Sequence, residues 1–170
     1  MDPDPLEEVL RAAVLVLQED GLPFALVGGL AVSARAEPRL TRDVELAISV
    51  ASDEEAERVI LGFVRRGWTA VLVVEQERTG RLATARLRPP EPLSRQVVLG
   101  LLFASCGIEP AVVAAAEPLE LLPSLTIPVA TTAHLVAMKL LARDDRRRPQ
   151  DADDLRALLE RLGGVELDAV

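Results

Sequence analysis

The chain has 170 residues, a net charge of −8 and 49% hydrophobic residues, which is enough to bury one sizeable core. The negative charge argues against a broad nonspecific nucleic-acid surface, because phosphate binding draws on clustered Lys and Arg. The single cysteine, Cys106, cannot form an internal disulfide, and the sequence has no apolar run long enough for export or membrane spanning. We therefore expect one cytoplasmic domain over residues 1–170, with no membrane partner.

The first part of the chain alternates helical and extended patterns. Apolar residues recur at helical spacing from Leu6 to Leu17, and Gly21 with Pro23 ends that helix. In chain order, the further predicted elements are a strand over 24–27, a Gly-Gly turn, a helix over about 30–36, a strand over 43–50 and a helix that the capping box Ser52 and Glu55 opens.

The second part is predicted to contain three strands, over 68–74, 82–87 and 97–104, followed by a short helix near 110–116. Residues 125–129 are expected to form an edge strand, because Pro128 cannot donate a ladder hydrogen bond. Two last helices are predicted, one over 132–142 with a threonine cap and one that Asp151 opens and the pair Gly163 and Gly164 ends. The order of these helices and strands predicts an α/β (α+β) fold, with a mixed central sheet flanked by helices over 1–130 and a small C-terminal helical section over 131–170.

Two carboxylates on one apolar strand are the first candidate functional residues. Asp43 and Glu45 are two residues apart, so they emerge on the same face of the strand, about 6 to 7 Å apart along the backbone. Two anions in an otherwise apolar strand are costly unless they reach water or bind a cation. The pair is therefore a candidate site for one or two divalent metal ions.

The Gly28-Gly29 pair lies between the first strand and a helix. Glycines allow the backbone to approach a phosphate closely, and a helix N-terminus offers free N–H groups and a favourable dipole. A purely structural turn explains the same pair equally well. A P-loop and a Rossmann fingerprint are both excluded, because no Gly-Lys-Ser/Thr and no G-x-G-x-x-G follows.

Two charged residues near the C-terminus each allow two interpretations. Lys139 is the only cation within the apolar segment LVAMKLLA, where it either extends its stem along the helix edge or contacts a ligand. Asp151 and Asp154 lie at the start of the last helix, where acids commonly cap the helix and offset its dipole.

Four segments together resemble a known family. VGGLAV followed by RLTRDVELAI resembles the GG, spacer, R-x-T-x-D-x-[DE] signature of minimal nucleotidyltransferases, in particular the group named after the AbiEii toxins. LLFASCGIE resembles the strand and loop that follow in this group, HLVAMKLLA its lysine-bearing helix, and DADDLRALL its closing helix. The resemblance spans roughly Leu22 to Leu159.

The resemblance implies a metal-dependent transfer of a nucleotide from a nucleoside triphosphate to an RNA, such as tRNA, or to a protein. It also implies a toxin-like role in a bacterial toxin and antitoxin or phage-defence system, with an antitoxin protein as partner. Asp43 and Glu45 would hold Mg²⁺ or Mn²⁺ and act with Lys139 as catalytic residues. The implied nucleotide-binding residues are Gly28, Gly29, Arg39, Thr41, Arg42 and Asp154.

One position departs from the family pattern. Relatives commonly carry a third carboxylate on the strand that here reads LGLLF, and the equivalent residue is Gly100. Glu75 or Glu77 on a neighbouring strand could take its place. Two interpretations therefore remain, an active nucleotidyltransferase and a degenerate, catalytically inactive protein that binds nucleotide, RNA or a protein through the same cleft.

Overall fold

A computed structural model of the chain describes residues 4–94, 96–142 and 150–167, with side chains up to residue 163. Six helices occur in these ranges: α1 (Pro5–Glu19), α2 (Gly28–Arg35), α3 (Asp53–Arg65), α4 (Glu109–Ala114), α5 (Thr132–Leu141) and α6 (Gln150–Leu167). The strands of the same ranges are β1 (Phe24–Val27), β2 (Asp43–Ile48), β3 (Thr69–Glu75), β4 (Leu82–Arg88), β5 (Val98–Leu102), β6 (Glu117–Leu122) and β7 (Leu125–Val129).

The strands form one mixed sheet in the order β3-β4-β5-β2-β1-β7-β6. β2 runs parallel to β5, and β1 runs parallel to β7, whereas the other neighbours are antiparallel. β2 thus lies near the middle of the sheet, which places the two carboxylates of that strand between β1 and β5. The expected mixed sheet with helices packed around it is confirmed.

Local sequence signals account for most helix boundaries. Asp4 caps α1 by accepting a hydrogen bond from the Leu6 amide, and Ser52 caps α3 by accepting one from the Glu55 amide. The apolar faces of these helices are buried; on α3 the buried face includes Phe63, which packs edge to face on Trp68 with ring centroids 5.2 Å apart. No helix in the described part of the chain is long and apolar enough to cross a membrane.

The prediction of an edge strand over residues 125–129 was wrong. β7 lies inside the sheet between β1 and β6, and the edge strand on that side is β6, which the sequence did not predict. The β6 segment EPLELL carries two acids and a proline, so it lacks the alternating pattern of a half-buried strand. Pro118 and Pro128 are register partners, so the two residues without an N–H group face each other.

The prediction that glycines end the last helix was also wrong. α6 begins at Gln150, one residue earlier than expected, and continues past Gly163 to Leu167. A glycine ends a helix when it adopts a left-handed conformation, and Gly163 does not have a positive φ.

Candidate active site

A cavity of about 400 Å³ opens on one face of the sheet, over β4, β5 and β2. Its sheet side is formed by residues that are register partners on neighbouring strands or that adjoin them: Val27, Gly28, Glu45, Thr84, Arg86, Gly100 and Leu102. The helical side is formed by Leu135, Met138, Lys139, Ala142 and Asp151, and the loop after β5 contributes Ser105 and Cys106.

The two carboxylates of β2 share the cavity face, as strand alternation predicts. Val44 and Leu46 point to the opposite face and are fully buried. Glu45 lines the cavity, whereas the half-buried Asp43, at the start of the strand, does not. Within the described residues, no three His, Cys, Asp or Glu side chains lie close enough together to hold a metal ion.

Gly28 is the point of contact between the first helix turn and Glu45. Its φ is +66°, and a Cβ at this position would lie 1.8 Å from Glu45 Oε2. A side chain here is therefore disfavoured by the backbone conformation, and it would also require the Glu45 carboxylate to move. α2 begins at this glycine, and its N-cap residue, Val27, provides no side-chain hydrogen bond to the first amides.

The second glycine is enclosed by the loop that leads into β2. A Cβ on Gly29 would lie 2.6 Å from Thr41 Oγ1 and 2.9 Å from Arg39 Nη2. These three predicted nucleotide-binding residues are thus brought together at the start of α2. Arg42 is exposed and does not line the cavity.

Asp154 is the centre of an ion-pair network that joins three parts of the chain. It is 3% exposed, and its carboxylate accepts a hydrogen bond from Arg39, with Nη2 at 2.9 Å from Oδ2. Lys139 Nζ lies 2.7 Å from the same Oδ2 atom. The network holds α6 against α5 and against the loop between α2 and β2.

Lys139 lines the cavity but is bound by two acids. Its ammonium lies 2.7 Å from Asp151 Oδ1 as well as from Asp154, and its side chain is 12% exposed. The interpretation of a lysine that only extends along the helix edge is therefore wrong. The charge of Lys139 is already matched by these carboxylates, so its contact with α6 is the interaction that the structure establishes.

Gly100 lies directly beside Glu45 on the neighbouring parallel strand. A Cβ at Gly100 would lie 3.5 Å from Glu45 Cγ, an ordinary packing distance. Glu75 lies on the edge strand β3, with β4 between it and β5, and Glu77 lies in the turn that follows; neither lines the cavity. The suggestion that Glu75 or Glu77 replaces the third carboxylate is therefore not supported.

Glu109 is a residue that the sequence reasoning missed. It is fully buried, and its carboxylate accepts hydrogen bonds from the Ser105 hydroxyl, the Cys106 amide (2.9 Å) and the Gly107 amide (2.9 Å). Burial acts to raise the pKa of Glu109, but the hydrogen bonds from Ser105 and Cys106 outweigh it and lower the pKa below 4.5. Glu109 thereby fixes the loop that contributes Ser105 and Cys106 to the cavity. The segment LLFASCGIE contains a signal for this role, because its acid, Glu109, follows a turn and begins a helix.

We expect Gly28→Ala to destabilise the protein more than Gly21→Ala does. Gly21 has nearly the same φ, +63°, but a Cβ there meets nothing within 4 Å, so its substitution costs only the backbone penalty of about 1 kcal/mol. Gly28→Ala adds the collision with Glu45, for a total of about 3 kcal/mol. Urea denaturation measures both values.

A double variant tests whether Glu45 causes the difference. Glu45→Ala removes the colliding carboxylate, so most of the additional loss in Gly28→Ala should disappear when the two substitutions are combined. Equal losses for Gly28→Ala and Gly21→Ala would contradict the contact.

We expect Asp154→Asn to lower the free energy of unfolding by about 3 kcal/mol, because it leaves two largely buried cations without their shared acid. Asp153→Asn is the matched control, since Asp153 is on the same helix, 80% exposed and 3.8 Å from Arg156. Exposed pairs of this kind contribute about 0.5 kcal/mol or less. Similar effects of the two substitutions on the denaturation midpoint would refute the network's role.

We expect Glu109→Gln to lower stability at neutral pH by about 2 kcal/mol, because an amide cannot accept from all of the donors around it. The folded-state pKa of Glu109 is depressed, so its stabilisation is present above the unfolded-state pKa and is lost as pH falls through the folded-state pKa. The difference between wild type and variant should therefore shrink below about pH 4. Glu120→Gln, at an exposed acid that accepts one backbone hydrogen bond, should show neither effect.

Comparisons with known proteins identify the family and the fold of the chain. The family model described as nucleotidyl transferase AbiEii toxin, Type IV TA system, matches residues 8–170. No curated protein sequence matches the chain. Among solved structures, the chain resembles ANT(2″)-Ia in complex with adenylyl-2″-tobramycin, with a TM-score of 0.58, 15% identity and coverage of 95% of this chain and 91% of that one.

Two further solved structures share the fold. An antigenic nucleotidyltransferase-like protein from Paracoccidioides brasiliensis has a TM-score of 0.55 and 20% identity, with 94% of this chain and 78% of that chain covered. The lincosamide antibiotic adenylyltransferase LnuA, bound to lincomycin, has a TM-score of 0.54 and 13% identity, with coverage of 89% and 95%. The fold is that of nucleotidyltransferases, and the family match covers nearly the whole chain. The chain belongs to the AbiEii nucleotidyltransferase toxin family.

Proposed function

We propose that this protein transfers a nucleotide from a nucleoside triphosphate to a macromolecular acceptor, an RNA such as tRNA or a protein. Within its family, we infer that it acts as the toxin of a bacterial toxin and antitoxin or phage-defence pair. The observation that carries the proposal is the approach of the α2 N-terminus to Glu45 at the cavity, where a Cβ at position 28 would meet the Glu45 carboxylate.

The start of α2 is suited to bind the triphosphate. Its first amides have no side-chain cap, and a helix N-terminus favours anions through its free N–H groups and dipole. Gly28 and Gly29 leave the backbone accessible at this point, and Thr41 and Arg39 lie against it. We assign these four residues to nucleotide binding, with the exposed Arg42 as a further cation beside them.

Asp43 and Glu45 would hold a divalent cation together with the nucleotide. The two acids provide hard oxygen ligands on one face of β2, and phosphate oxygens and water would supply the remaining ligands. Bound Mg²⁺ or Mn²⁺ would stabilise negative charge on the phosphates of the reacting nucleotide. Because the described residues contain no three-acid cluster, we expect metal binding to depend strongly on the triphosphate.

The reaction then requires mainly positioning and charge stabilisation. A hydroxyl oxygen of the acceptor forms a bond to the α-phosphorus, the bond from that phosphorus to the bridging oxygen breaks, pyrophosphate leaves and the hydroxyl proton is released. Lys139 and Asp154 contribute by fixing α5 and α6 at the cavity wall. Lys139 also lines the cavity, so it is the residue of this network that a bound nucleotide reaches.

A second candidate function is binding without transfer. Gly100 favours it, because the position that carries a third carboxylate in similar proteins has no side chain here to bind metal or accept a proton. In that case the same cleft would hold a nucleotide, an RNA or a protein, and turnover would be absent.

A transfer assay separates the two functions. Wild-type protein is incubated with each labelled nucleoside triphosphate, Mg²⁺ or Mn²⁺, and either total cellular RNA or total protein. Labelled macromolecule supports the enzyme and identifies the acceptor class. Nucleotide binding without labelled product supports the binding protein. A gene for a small antitoxin beside this one would support the toxin role.

We expect Asp43→Asn to abolish transfer and weaken Mg²⁺-dependent nucleotide binding while leaving the melting temperature unchanged or raised. The reason is that one ligand of the metal is lost, and repulsion between two nearby anions is relieved when no metal is present. Calorimetry with and without Mg²⁺ measures the affinity. Asp153→Asn, at an exposed acid away from the cavity, is the control, and equal affinities of wild type and Asp43→Asn would refute the metal site.

A further inference from the structure

Arg86 lines the cavity, but neither the sequence motifs nor the proposed mechanism assigns it a role. It lies on β4 as the register partner of Gly100, which is in turn the partner of Glu45 on β2. Directly paired residues on neighbouring strands project to the same side. Arg86 therefore faces the cavity at the same level as Glu45, with a glycine between them, and neighbouring strands are about 5 Å apart.

Two of the described cations beside the cavity are already paired with acids. Lys139 is bound by Asp151 and Asp154, and Arg39 is bound by Asp154. Among the described residues that line the cavity, Arg86 is the cation without a hydrogen-bonded or ion-paired acid. Its guanidinium presents five donors in a planar fork that matches phosphate oxygens.

Gly100 and Arg86 are linked by space and charge. A side chain at position 100 has room, since its Cβ would lie 3.5 Å from Glu45 and 3.8 Å from Leu102. A carboxylate there would stand between Glu45 and Arg86 and would be a direct partner for the guanidinium. With glycine, no side chain at position 100 separates Glu45 from Arg86, and the guanidinium has no acid beside it at that position.

We propose that Arg86 binds phosphate oxygens of the nucleoside triphosphate across Gly100. The inference rests on the proposed function, because it concerns the same nucleotide. At the position where similar proteins have an acid that helps hold metal, this chain combines a glycine with a neighbouring cation. Arg86 thus neutralises phosphate charge directly from the β4 side, while Asp43 and Glu45 would hold the metal ion that neutralises it from the β2 side.

Binding of four nucleoside triphosphates, ATP, GTP, CTP and UTP, is first measured by calorimetry on the wild-type protein with Mg²⁺. The tightest of them is then compared with its monophosphate and its nucleoside on wild type, Arg86→Ala and Arg86→Lys. We expect Arg86→Ala to raise the triphosphate Kd about tenfold or more, the ratio that loss of one charged hydrogen bond produces. Nucleoside binding should change by less than about twofold, and Arg86→Lys should recover part of the affinity because it keeps the charge but not the fork.

Arg88→Ala is the matched control. Arg88 follows Arg86 by two residues on β4, so it shares the face of the strand, is exposed and does not line the cavity. Its substitution removes the same charge from the same strand, and triphosphate affinity should remain within about twofold of the wild type at physiological ionic strength.

Three results would refute the proposal, and they differ in whether the proposed function remains supported. An unchanged triphosphate Kd in Arg86→Ala, together with a loss of binding in Asp43→Asn, would refute the role of Arg86 and keep the proposed function. Equal losses for triphosphate and nucleoside would show that Arg86 shapes the cavity without contacting phosphate. A wild-type protein that binds none of the four triphosphates would refute both proposals.

Discussion

The buried carboxylate of Asp154 is the constraint that fixes the C-terminal helix α6 against the rest of the molecule. An isolated charge at 3% exposure is not tolerated in a protein interior, so the helix that carries it docks only where cations are available. Arg39 comes from the loop before β2, and Lys139 comes from α5. The attraction therefore brings the C-terminal helix to the sheet at the start of α2, where the candidate site lies, and an apolar contact alone would not impose that position. Such networks give specificity of arrangement more than net stability.

Two glycines give the cavity its form for opposite reasons. At Gly28 the backbone is left-handed and lies so close to Glu45 that a Cβ would meet its carboxylate, so a side chain would strain the backbone and force Glu45 to move. At Gly100 a side chain would fit, and with glycine no side chain at this position separates Glu45 from Arg86. Backbone conformation and close contact therefore favour glycine at position 28, whereas the space at position 100 does not require it.

Local patterns in the sequence predicted the parts of the structure that depend on local physics. Alternation and helical spacing gave β1, β2 and α3 with nearly correct bounds, and the two-residue spacing placed Asp43 and Glu45 on one face. The β6 strand was missed because its pairing with β7 overrides a segment with acids and a proline, which is a tertiary effect. The position of Arg86 relative to Glu45 depends on the register of β4 with β5 and on the register of β5 with β2, and β2 and β5 are far apart in sequence. The partners of Lys139 likewise depend on how α6 docks, so the sequence allowed two interpretations that only the packed structure distinguishes.

The distance in sequence between the members of the Asp154 network has a consequence for synthesis of the protein. Arg39 and Asp154 are 115 residues apart, and ribosomes add about 5–20 residues per second. A nascent chain thus carries its glycine turn and both β2 acids for on the order of 10 s before the codon for Asp154 is translated. During that interval Arg39 has no Asp154 to bind, and the wall of the cavity is incomplete. For a member of a toxin family, the order of elements along the chain delays completion of the site until the segment that carries Asp154 has been translated.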